Sequence, residues 1–147
     1  MKKEFRCDCP ITSAIDIIGD KWTLVIIKQM LLQGKETFKD FTDSKEAIAT
    51  NILTLRMKKL VELNIVTKGK LPENNKSVYY HLTEKGLSLA PIIIELAIWA
   101  GETLKTLNSS MVEPSSMGLN KTNKEEFVQN IVSNYKEKID TIAFIKS

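Results

Sequence analysis

Cysteine, histidine, glycine and proline are all scarce in this chain, and each shortage removes a class of function. Two cysteines and one histidine in 147 residues cannot supply the four ligands of a structural zinc site. The single histidine, His81, lies in the alternating stretch Val78-Tyr79-Tyr80-His81-Leu82, which reads as a half-buried strand rather than as part of a hydrolase triad. Six glycines and four prolines exclude collagenous and low-complexity classes. The sequence contains no GxGxxG, P-loop or HExxH motif, so no enzymatic activity, metal or cofactor is expected. Apolar runs are short: the uncharged stretch from Gly86 ends at Glu95, well below the roughly 18 to 20 residues of a bilayer span. No apolar leader follows Met1-Lys2-Lys3-Glu4-Phe5-Arg6, so the expected location is cytoplasmic, with no membrane partner.

What is present is the composition of a globular chain, with 43% hydrophobic and 27% charged residues. That is enough for one cored domain, with or without an appendage. The net charge of +3 is unevenly placed. Residues 45–76 hold seven Lys/Arg against three Asp/Glu, whereas residues 1–44 balance and residues 77–147 are slightly acidic. The whole positive surplus therefore lies in the middle of the chain, as an anion-binding surface requires, although a solvated helix face produces the same count.

Hydrophobic spacing predicts a helix from Pro10 to Ile18, stopped by Gly19, and a largely apolar core helix from Lys21 to Leu32, closed by Gly34. A short helix over Thr37–Thr42 places Phe38 and Phe41 on one face, and Asp43 or Ser44 is positioned to cap the next helix. That helix, from Ala47 to Leu63, carries the functional signal. At about 100° per residue, Leu53, Met57 and Leu60 fall on one side with Ala49 beside them, while Asn51, Thr54, Leu55, Lys58 and Glu62 fall opposite. Asn64 suits the left-handed residue that ends it.

A β-branched run from Ile65 to Leu71, a turn over Pro72–Lys76 and an aromatic run from Ser77 to Leu82 predict a hairpin with a basic tip. An apolar helix from Leu87 to Leu107 follows, then an Asn/Ser/Gly/Pro-containing linker over 108–123. A C-terminal amphipathic helix then runs over 124–147, with Phe127, Ile131, Tyr135, Ile139 and Ile142 on its apolar face.

This order predicts a mainly α fold with a small β-hairpin wing. It is a winged helix-turn-helix over residues 1–107, with an added C-terminal helix for packing or dimerisation. The partner such a surface fits is double-stranded DNA. Asn51 has the groups to read adenine, Thr50 and Thr54 to bond bases or phosphates, Leu55 to meet a thymine methyl, and Lys58 to reach phosphate or guanine. Lys68, Lys70, Asn74, Asn75 and Lys76 would follow the flanking backbone or minor groove. Two other readings stand beside this one. The same surfaces would serve a protein-interaction module without a DNA role, and Cys7-x-Cys9 would serve a thiol oxidoreductase, although no thioredoxin-like βαβ pattern surrounds it.

Several stretches resemble the HxlR-type subgroup of winged-helix transcriptional regulators, related to the MarR group. They are Cys9-Pro10, Gly19-Asp20-Lys21-Trp22-Thr23-Leu24, Phe38-Lys39-Asp40-Phe41, the run from Ile48 to Leu60, and Tyr80-His81-Leu82-Thr83-Glu84-Lys85-Gly86. The resemblance covers residues 9 to about 105. It implies a bacterial or archaeal homodimer on pseudo-palindromic operator DNA, with the helix after Ile48 in the major groove. The chain departs from that pattern in having Asp20 and Asn64 where members often have glycine, and Asn75-Lys76-Ser77 in place of a Pro-Pro-Arg-like wing tip.

Cys9 precedes Pro10 at a helix start, where backbone N–H groups and the positive helix end favour thiolate, with Arg6 assisting and Asp8 opposing. Some members of the family this sequence resembles sense oxidants or electrophiles through the cysteine at this position, so an oxidant or small molecule is the expected effector class. Cys7 adds a nearby thiol. A Cys7–Cys9 ring is strained, which leaves an intersubunit bridge or a small-thiol cap as the expected product. Ile92, Leu96, Trp99, Phe127, Ile131 and Tyr135 are the candidate dimer-interface residues, unless they cover the monomer's own core.

Overall fold

Helix α2 (Thr23–Gln33) is apolar on most sides because it is central: Ile26, Ile27, Met30 and Leu31 are buried. Around it in the computed structural model, which describes residues 5–141 and the backbone of 145–146, stand α1 (Pro10–Ile18), α3 (Phe38–Thr42) and α4 (Thr50–Glu62). Strands β1 (Val66–Leu71) and β2 (Asn74–Leu82) follow, and then α5 (Glu84–Leu87), α6 (Ala90–Thr103) and α7 (Lys124–Asp140). Phe41, Ile48, Leu53, Met57, Leu60, Ile65, Val66, Leu82 and Ile93 complete one continuous core with α2. Each such side chain contributes about 1.5–3 kcal/mol relative to exposure.

Two chain reversals use left-handed residues where the sequence suggested them: Gly34 at φ 66° ends α2 and Asn64 at φ 59° follows α4. Helix α4 begins later than its periodicity suggested. Ala49 is its N-cap without a side-chain bond and is exposed, while Asp43 closes α3. The turn between α3 and α4 holds Ala47 at φ 55°.

The hairpin is tighter than the sequence reading, because β2 already starts at Asn74 and leaves Pro72-Glu73 as the turn. Its register runs from Val66 opposite Leu82 to Gly69 opposite Tyr79, with an irregularity before Leu71 and Asn74 meet. His81 is fully rather than half buried, its Nε2 2.7 Å from a Glu36 carboxylate oxygen.

Further expectations are corrected beyond the hairpin. The helix expected from Leu87 to Leu107 is two helices, since Pro91 suits only a first turn and α6 starts anew at Ala90. Glu84–Thr103 is nonetheless long and apolar enough by length and composition to cross a membrane; here Ile93, Ile94 and Ile98 are buried and Glu95 pairs with Lys124 at 2.6 Å. The segment read as a linker contains a 3-10 turn, Pro114–Met117, and buries Leu119 against Ile94 and Ile98.

The C-terminal helix ends at Asp140 instead of continuing to the terminus, and β3 (Ile145–Lys146) pairs antiparallel with β1. The sheet order is therefore β2-β1-β3. Ile142 lies outside the described residues. Tyr135, expected at a subunit interface, is only 8% exposed within its own chain. Phe127 and Ile131 are half-buried against Ile94, Ile98 and Leu119, so α7 covers the monomer's core. Ile92, Leu96 and Trp99 of α6 are exposed.

Candidate nucleic-acid interface

Helix α4 separates its residues as the periodicity predicts. Leu53, Met57 and Leu60 are essentially inaccessible, while Thr50, Asn51, Thr54, Leu55 and Lys58 are exposed. The Leu55 side chain is 61% exposed, a cost in water that contact with another surface would remove. The Thr54 hydroxyl donates to the Thr50 carbonyl at 2.8 Å, leaving its oxygen free to accept from outside the helix.

Three tethers hold this helix, and none lies on its exposed face. Arg56 Nε donates to Asp20 Oδ1 at 2.9 Å. Lys59 Nζ donates to the Ile17 carbonyl at the end of α1, at 3.2 Å. Glu46, in the turn before α4, accepts from Lys28 and from Gln29 Nε2 of α2, and Lys28 leads in holding its carboxyl below the usual range. Polar anchoring on the flanks leaves the outward face of α4 available and fixes its direction.

Asp20 has a second task that a glycine at that position could not perform. Its carboxylate accepts from the Trp22 and Thr23 amides, both at 2.9 Å, and from the Thr23 hydroxyl. It thereby satisfies donors at the start of α2. Partial burial opposes its ionisation, but the Thr23 hydroxyl, Arg56 and the two amides outweigh this and hold its pKa at about 2. A carboxyl depressed in the folded state adds stability above its unfolded value near 3.8 and loses it as pH falls toward about 2. Urea denaturation between those limits is expected to show a steep acid limb in the wild type and a shallower one in Asp20→Asn. Equal slopes would show that Asp20 does not contribute. Local periodicity did not mark Arg56, Lys59 or Glu46, because their partners Asp20, Ile17, Lys28 and Gln29 lie at least 17 residues away.

The wing contributes unequally. Lys68, Asn75 and Lys76 are exposed, whereas Lys70 and Asn74 are half-buried. Asn74 Nδ2 lies 3.3 Å from both Ser77 Oγ and Tyr79 Oη, so that side chain braces the turn. Lys68 joins Thr54 and Lys58 along the groove between α4 and the hairpin, over a floor that includes Phe38, Met57 and Tyr80. Cations and hydroxyls from the two elements thus share one side of the molecule.

Cys9 is the N-cap of α1. Its sulfur makes no capping hydrogen bond, yet it sits where the Thr12 amide, the Thr12 hydroxyl and the Ile11 amide lower the thiol pKa. Cys7 is exposed, and neither cysteine is in a disulfide. Arg6, expected to assist the thiolate, instead binds Asp16, with Nε donating to Oδ1 at 2.8 Å.

The family described as HxlR-like helix-turn-helix matches residues 17–108, a span that includes α2, α3, α4 and the wing. The chain belongs to the HxlR-like family. The transcriptional regulator YodB of Bacillus subtilis is 36% identical over 95 residues, 64% of this chain and 84% of YodB. The structure of reduced YodB superimposes with a TM-score of 0.55 at 35% identity, covering 66% of this chain and 95% of YodB. The redox regulator HypR in its reduced form gives a TM-score of 0.60 at 30% identity, covering 69% of this chain and 99% of HypR. The HxlR-like match ends before the buried Leu119, helix α7 and strand β3, so those elements are additional to the family's common part.

Proposed function

We propose that this chain is a thiol-responsive transcriptional regulator that binds pseudo-palindromic operator DNA as a homodimer, with α4 in the major groove and the wing on the flanking backbone. The observation that carries this reading is the two-sided α4, buried through Leu53, Met57 and Leu60 and open through Asn51, Thr54, Leu55 and Lys58. Exposed Ile92, Leu96 and Trp99 on α6 support a dimer, and two-fold pairing at about 34 Å lets two α4 helices read successive turns. The thiol response is supported by the lowered pKa of Cys9 and by the likeness to the redox regulator HypR. Oxidation joins the Cys9 sulfur to a second thiol, either of the partner subunit or of a small thiol, with two electrons and two protons passing from the two thiols to the oxidant.

Fluorescence anisotropy against DNA flanking the protein's own gene, at two salt concentrations and before and after diamide, tests the reading. Selective, salt-sensitive binding is expected, and diamide is expected to change wild-type affinity at least tenfold. Cys9→Ser is expected to bind in the reduced state as the wild type does and to ignore diamide. A diamide response in Cys9→Ser equal to the wild type's would remove Cys9 from the mechanism, and absence of selective binding would favour a protein-interaction module.

A further inference from the structure

The outer edge of β2 is held by two parts of the chain far apart in sequence. The Tyr80 amide donates to the Glu36 carbonyl at 2.8 Å, and the Leu82 amide donates to the Tyr135 phenolic oxygen, also at 2.8 Å. Residues 80 and 82 project their N–H groups to the same side because strand direction alternates with period two. Tyr135 thus occupies the place of a neighbouring strand at the base of the wing. Burial pushes its phenol up to about 12 despite the Leu82 donation, so the hydroxyl stays protonated in any ordinary buffer.

Other contacts from the same extension reach the wing. Lys136 Nζ lies 3.0 Å from Glu84, two residues past β2. On the opposite edge of the sheet, β3 pairs with β1 at Gly69 and Lys70, next to Lys68. Both edges of the hairpin are therefore gripped by a segment that the HxlR-like match does not include.

We propose that Tyr135 is a positioning residue for DNA recognition: through the Leu82 amide, α7 fixes the angle of the wing to α4, so that the basic tip and the recognition helix engage one duplex together. This rests on the DNA-binding reading above. Without the phenolic oxygen the base of the hairpin keeps the Tyr80–Glu36 bond but loses its link to α7, and contacts at its tip are expected to lose their effect while those of α4 remain.

The test uses the full chain, with Tyr135→Phe removing one oxygen and leaving the ring. Hydrogen exchange of β1 and β2 amides is expected to quicken at least tenfold, with α4 amides unchanged. In operator titrations, Lys76→Ala is expected to weaken the wild type about threefold to tenfold and to have no further effect in the Tyr135→Phe background. Asn51→Ala retains its full loss there. A purely structural role would leave both losses intact, and that result, or exchange unchanged or quickened uniformly, would overturn the proposal. Where the wild type binds no DNA selectively, the DNA-binding reading fails by itself, and the exchange measurement still decides whether Tyr135 holds the wing. If Tyr135→Phe does not fold, Lys146→Pro, aimed at the β3 pairing opposite Gly69, gives the same pair of measurements at the other edge. Selective loss of the Lys76 contribution supports the clamp, and its retention overturns it.

Discussion

Asn51→Ala is expected to lower operator affinity by about 30-fold to 20,000-fold without loss of folding. A bidentate Asn–adenine pair discriminates by about 1–3 kcal/mol, and a homodimer makes it twice. Asn51 is exposed in the first turn of α4, where recognition helices contact base edges, and removing its amide disturbs no side-chain hydrogen bond among the described residues. Lys58→Ala is the companion measurement. Losing one phosphate contact per protomer is expected to weaken binding on all sequences alike and to flatten the salt dependence by about two contacts' worth. Asn51→Ala within threefold of the wild type, with circular dichroism unchanged, would take α4 out of the major groove.

The largest stability effect is expected at Gly86. A Cβ there would lie 2.3 Å from the Ile65 carbonyl oxygen and 3.0 Å from Leu82 Cδ2. Neither side is free to yield. The Ile65 carbonyl accepts from the Thr83 amide at 3.1 Å and the Thr83 hydroxyl at 3.0 Å, and the Gly86 amide donates to that hydroxyl at 3.1 Å. Gly86→Ala must therefore separate α5 from the start of the hairpin, at a cost of about 3 kcal/mol or more, which corresponds to a Tm lower by roughly 6–12 °C in a chain of this size. Gly118→Ala is the control. Nothing lies within 4 Å of a Cβ at Gly118, and only its φ of 79° opposes a side chain, so a loss of about 1–2 kcal/mol is expected. Differential scanning calorimetry of both variants checks the ranking, and a Tm for Gly86→Ala equal to that of Gly118→Ala would refute the contact argument.

Both predictions concern stretches that carry the family resemblance, yet only part of their logic was legible in the sequence. The exposed face of α4 was legible, since a helix buried on one side writes its orientation into a period of about 3.6 residues. The role of Gly86 was not, because its constraint is the Ile65 carbonyl on another element. Asp20 registered only as a departure from a glycine. Part of its role comes from Arg56, 36 residues away, and no local pattern pairs the two.

The tail shows the same division. Its amphipathic spacing indicated a helix with Phe127, Ile131 and Tyr135 on one face, and the helix is there through Asp140. Whether that face met a second copy or the chain's own core was open in the sequence, because burial by self and burial by partner leave the same apolar stripe. The monomer's core takes Tyr135, whose phenol reaches Leu82 across 53 residues.

From sequence alone came the order of elements from α1 through the hairpin, the left-handed turns at Gly34 and Asn64, the two faces of α4 and the basic hairpin, all of which follow from backbone preference and hydrophobic period within a few turns of chain. The tertiary structure alone decided the tethers of α4 to Asp20 and Ile17, the close approach at Gly86 and the grip of α7 and β3 on the wing. Those contacts join residues distant in sequence through single hydrogen bonds or atom-sized gaps, and neither carries a periodic signature.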